Sequence, residues 1–91
     1  MAIGMYTRPE SMTADQYNEI MQKLTAAGQS APAGRLDHVC FGSGKNLAVF
    51  DVWDSQASLD AFFQTLIPIV EGLGLKMGQP SIEPVVNIVT G

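Results

Sequence analysis

Two hydrophobic periods alternate along this chain, and the places where one gives way to the other mark six elements. Ala2 to Thr7 is a short apolar run stopped by Pro9, which predicts a first strand. From Thr13 the period lengthens. Tyr17, Ile20, Met21 and Leu24 fall at i, i+3, i+4 and i+7, one face of a helix. Thr13 and Gln16 have capping-box spacing, and Gly28 is the expected C-terminal cap. Gln29 to Gly34, rich in small residues and proline, reads as a loop. Leu36 to Phe41 predicts the second strand, Gly42 to Asn46 a turn, and Leu47 to Trp53 the third strand. Asp54 or Ser55 then caps a second helix, in which Leu59, Phe62, Phe63 and Leu66 repeat the helical spacing. Pro68 is expected to interrupt that helix near Leu66 and Ile67 and to open a further short turn through Leu73. Gly72, Gly74, Gly78 and Pro80 predict a loose connection, and Ile82 to Val89 the last strand.

The order β-α-β-β-α-β predicts an α+β, ferredoxin-like fold: one domain over residues 1–91, a four-stranded antiparallel sheet with both helices on one face. The other face is then left bare. Yet Leu47 to Val52 is apolar at both parities apart from Asp51, and Val85, Val86, Ile88 and Val89 repeat this in the last strand. A second copy packed sheet against sheet is the expected cover, giving a homodimer.

Composition narrows the partners. The 91 residues carry five Lys and Arg against nine Asp and Glu, a net charge of −4, with no basic run. Nucleic acid and anionic membranes are therefore not expected partners. The single cysteine, Cys40, cannot form an internal disulfide, and no apolar run is long enough to span a bilayer. No signal-peptide pattern opens the chain, so a cytoplasmic location is expected.

Asp51 and Trp53 share a strand face, where a carboxylate beside an indole on an apolar surface needs a partner. Two hairpin registers are open. Pairing residues whose numbers sum to 88 sets Asp37 against Asp51, two like charges. Pairing to 89 sets His38 against Asp51 and Leu36 against Trp53, and is preferred for that reason. In this register the carboxylate would hold the imidazole and stabilise its charged form. Such a His can deprotonate a phenol or enol for reaction with dioxygen, or drive an aldol-type ring closure. Trp53, Phe62, Phe63 and Tyr6 would line an apolar pocket for a flat substrate between sheet and helices. The same residues also read as structural, with the His–Asp pair satisfying itself and Trp53, Phe62 and Phe63 in the core. Tyr6 and Tyr17 could donate to a ligand or only anchor their rings. Asn87, polar in an apolar strand, needs a buried partner at the interface or a ligand. Cys40 reads as a small buried hydrophobe. No metal-ligand set and no phosphate loop is present, and no cofactor is expected.

The element order and the step Asp51-Val52-Trp53-Asp54-Ser55 resemble the dimeric α/β-barrel superfamily, which includes antibiotic-biosynthesis and haem-degrading monooxygenases. The step is similar to their Glu-x-Trp-x-Ser motif, with Asp for Glu. Haem-degrading members carry a Trp on the second helix and a ligating His some ten residues on; Phe62 and Gly72 stand there in this chain, which disfavours haem degradation. Polyketide cyclases of this fold use a His with a Tyr, and the one His here is His38. The resemblance implies a homodimer acting on an apolar or aromatic small molecule as a cofactor-independent monooxygenase or cyclase. A non-catalytic ligand-binding or interaction module of the same fold is the alternative.

Overall fold

A computed structural model describes residues 1–91. Its elements are β1 (Ile3–Thr7), α1 (Ala14–Ala26), β2 (Arg35–Phe41), β3 (Ala48–Trp53), α2 (Gln56–Gly72) and β4 (Ser81–Pro84). The strands form one antiparallel sheet in the order β2-β3-β1-β4. This is the βαββαβ ferredoxin-like arrangement. Ile3, Met5, Val49 and Trp53 project from one sheet face into a core shared with Ile20 and Leu24 of α1 and Leu59, Phe62, Leu66 and Val70 of α2.

Local chemistry accounts for the ends of the elements. Thr13 and Gln16 close the capping box at the start of α1, the Gln16 N–H donating to Thr13 Oγ1 and the Thr13 N–H to Gln16 Oε1. At its end Ala27 is the cap residue. Gly28 follows at φ +76°, and the Gly28 and Gln29 N–H groups donate to the Thr25 and Leu24 carbonyls. Ser55 caps α2, accepting from the Ser58 N–H. Gly34, at φ +88°, lies so close to the start of α2 that a Cβ there would stand 2.3 Å from Ser58 Oγ.

Four expectations are corrected. First, α2 runs unbroken through Pro68. Pro68 and Gln64, whose carbonyl loses its helical donor, both face solvent, while Leu66 and Val70 hold the helix to the core on either side. Second, β3 begins at Ala48 because the Leu47 N–H donates to the Met12 carbonyl rather than to β2. Third, the segment after α2 is tied down, not loose. Leu75 is buried, Thr7 Oγ1 donates to the Met77 carbonyl at 2.9 Å, and the Glu10 N–H donates to the Lys76 carbonyl. Fourth, β4 ends at Pro84 and not Val89. Its partner β1 starts at Ile3, opposite Pro84, and the ladder's last bond runs from the Val85 N–H to the Ala2 carbonyl.

Residues 85–91 therefore leave the sheet and stand over its second face. With Gly4, Tyr6, Val39, Phe50 and Val52 they enclose an open cavity of about 930 Å³. That face also exposes Val39, Phe41 and Phe50. Both-sided cover of β3 is thus incomplete within one chain: Ala48 and Val52 are buried and Phe50 is exposed.

Candidate functional site

The β2–β3 ladder has the register that sets His38 against Asp51, with Cys40 against Val49. It departs from the expected pairing at one point. Leu36 is bulged out, so Arg35 and not Leu36 faces Trp53. The bulge leaves Leu36 exposed and brings Arg35 to the wall of the His38 cavity.

On the helix side of the sheet a chain of four side chains results. Trp53 Nε1–H donates to Asp51 Oδ2 at 3.3 Å, and Asp51 Oδ1 lies 2.5 Å from His38 Nδ1. His38 Nε2 lies 2.6 Å from Tyr17 Oη. Indole N–H can only donate and a carboxylate only accept, so the His38 hydrogen facing Asp51 sits on Nδ1. In the neutral ring Nε2 is then the nitrogen with a free lone pair, and the phenol O–H donates to it. Burial pushes the Tyr17 phenol above its ordinary range; Cys40 and Asp51 add to this and Arg35 opposes it. Tyr17 therefore stays a donor at neutral pH. Asp51 is almost fully covered, whereas the His38 side chain keeps 18% of its surface exposed. Every buried side-chain nitrogen and oxygen has a partner.

Sequence supplies each part locally. The strand alternation that puts Asp51 and Trp53 on one face also puts His38 and Cys40 on the same face of β2. Tyr17 reaches them from the first turn of α1, on the same helical stripe as Ile20 and Leu24. That stripe is the signal that could have found Tyr17 as the fourth member: an inward-facing phenol on a helix that covers β2 must find a polar partner there.

The expected pocket residues do not all converge. Trp53 has no exposed surface and meets Phe62 with ring centroids 5.2 Å apart, as core. Phe62 also reaches the cavity beside His38, which measures about 40 Å³. Phe63 lines a separate space of about 110 Å³ with Met5, Met77 and Pro80. Tyr6 lies on the opposite sheet face, its ring 6.5 Å from that of Phe41. Asn87 is exposed on the tail over that same face, not buried in a strand, because β4 ends before it. Cys40 is half-buried, and burial holds its thiol above the ordinary range, so it remains protonated. No three His, Cys, Asp or Glu side chains are grouped to hold a metal, and no helix is long and apolar enough to cross a membrane.

No protein-family model matches this chain, and no curated protein matches its sequence. Solved structures do match its fold over the full length. SnoaB, a cofactor-independent oxygenase from Streptomyces nogalater, superposes with a TM-score of 0.71 at 12% identity, covering 99% of this chain and 98% of its own. Rv0793 from Mycobacterium tuberculosis gives 0.71 at 12%, covering 99% and 100%. A candidate antibiotic biosynthesis monooxygenase from Chloroflexus aurantiacus J-10-fl gives 0.66 at 19%, covering all of both chains. Identities this low establish a shared fold and no more.

Proposed function

From a fold shared with antibiotic-biosynthesis-monooxygenase-like proteins, we propose that this chain is a single homodimeric domain acting on an apolar or aromatic small molecule with an acidic phenol or enol. The observation that carries the reading is the Tyr17–His38–Asp51 chain, which leaves one imidazole nitrogen aimed away from its carboxylate partner. Asp51 holds His38 in the tautomer with hydrogen on Nδ1. Nε2 then takes the proton from the substrate, producing an electron-rich anion. In an oxygenation, one atom of dioxygen enters that carbon framework as a carbonyl, and the other leaves as water with the two hydrogens the substrate loses. In a cyclisation, the anion attacks a carbonyl of the same molecule. Neither route needs a cofactor from the protein.

The dimer reading is supported by the second sheet face, where Val39, Phe41 and Phe50 form an apolar surface on a small chain. Sheet-to-sheet packing of two copies covers it. Asn87 and Tyr6 then belong to that interface rather than to the His38 site.

A second reading has its own observation. The cavity beside His38 is about 40 Å³, close to the volume of one water in the liquid, about 30 Å³. All buried polar atoms around it are already paired. A purely structural His–Asp–Trp cluster in a ligand-binding or interaction module fits this equally. Native mass spectrometry of the purified protein, followed by denaturation of the same sample, separates the readings. The expected result is a dimer that releases an aromatic or apolar molecule. A dimer releasing nothing favours the structural reading, and a monomer contradicts the covered face.

A further inference from the structure

No ring can reach His38 while Tyr17 stays where it is. The cavity there measures about 40 Å³, whereas a benzene-sized guest occupies a protein cavity of about 150 Å³. The Nε2 nitrogen is also already taken, with Tyr17 Oη 2.6 Å away. The two ring planes lie within 7° of parallel and their centroids are 5.9 Å apart, which lets the phenol O–H approach the lone pair close to the imidazole plane. An aryl alcohol delivered to His38 for deprotonation would need this same arrangement.

We propose that Tyr17 is a built-in stand-in for the substrate: its phenol fills the position that a substrate phenol or enol takes on His38, and binding begins by displacing it. The inference rests on reading His38 as the acceptor of a substrate proton. Tyr17 is suited to leave. It sits in the first turn of α1, is only half-buried, and makes one side-chain hydrogen bond, the one to His38. Its departure vacates the volume of one phenol ring beside the existing cavity, so the opened space matches the guest that replaces it. Met21 and Met77, which line the cavity, are flexible walls that adjust to a larger ring. Arg35 lines it too, placing a cation near an oxygen that becomes anionic when His38 takes its proton. An aryl alcohol more acidic than tyrosine, such as 1-naphthol, is the stronger donor to Nε2 and wins the exchange.

The test is calorimetric titration of the full chain with 1-naphthol, comparing the unsubstituted protein with Tyr17→Phe, Tyr17→Leu and His38→Ala, each checked for folding by circular dichroism. Tyr17→Phe removes the bond that holds the ring over Nε2 and is expected to tighten binding roughly 2- to 10-fold, the worth of one net hydrogen bond. Tyr17→Leu, with neither ring nor hydroxyl in the way, is expected to bind at least as tightly as Tyr17→Phe. His38→Ala is expected to weaken binding. Equal or weaker binding by both Tyr17 variants, with the unsubstituted protein still binding, overturns the displacement and leaves the role of His38 standing. Binding by none of the proteins overturns both.

Discussion

Trp53→Ala is expected to cost about 3–5 kcal/mol of folding stability, the usual range for emptying a fully buried Trp site. Trp53 has no exposed surface and packs on Phe62, so its loss leaves a cavity between β3 and α2 that neither element can collapse into. The same substitution strips Asp51 Oδ2 of its indole donor, which adds to the cost because Asp51 is buried. A chain of this size is stabilised by about 5–14 kcal/mol in total, so the variant should melt at least about 12 °C lower. Trp53→Phe keeps a ring against Phe62 and loses the N–H, and should fall between the two. Circular dichroism is the suitable probe, since Trp53 is the only tryptophan. A loss below about 1 kcal/mol for Trp53→Ala would mean that the indole is not core.

His38→Ala should lower turnover of a phenolic or enolic substrate by about 10²- to 10⁴-fold, the usual contribution of a positioned general base. Buried Asp51 loses one donor and some stability with it, but His38 is partly exposed and Asp51 keeps its bond from Trp53, so the chain should still fold. The contrast with Trp53→Ala is the diagnostic. The first substitution acts mainly on stability, while the second acts mainly on rate and leaves a folded protein. Turnover of an identified substrate by His38→Ala at the unsubstituted rate would sink the catalytic role. Asp51→Asn is the informative companion, since it keeps the shape and removes the acceptor pair that fixes the His38 tautomer.

The parts legible in the sequence were those set by short-range periodicity and by one electrostatic contrast. Alternation along β3 placed Asp51 and Trp53 on one face, and avoiding an Asp37–Asp51 pairing chose the register that puts His38 beside Asp51. The bulge at Leu36 was not legible. It lies just beyond Gly34, whose carbonyl accepts the Asp54 N–H, a contact between segments far apart in the chain. Pro68 misled for a related reason. A proline costs a helix one hydrogen bond and crowds the carbonyl four residues back, but here water can reach Gln64 and the packing of Leu66 and Val70 holds the helix together, both tertiary facts. The end of β4 is not legible either, because strand-like residues need a neighbour and β1 offers none beyond Ala2.

Tyr17 illustrates the harder limit. Its inward direction follows from the stripe it shares with Ile20, Met21 and Leu24, but its partner lies 21 residues away on another element. Only the packing of α1 over β2 joins them. Two of the residues that do not converge on His38, Tyr6 and Asn87, share only chemical type with the site, since strand parity and the end of β4 put them on the other face.

The hydrogen on the His38 ring tests the central claim most directly. Long-range proton–nitrogen NMR of the single histidine, at a pH where the imidazole is neutral, reports which nitrogen carries it. Hydrogen on Nδ1, with Nε2 unprotonated and accepting from Tyr17, is the expected result. Hydrogen on Nε2 would leave no lone pair facing the substrate position, and would contradict His38 as the base.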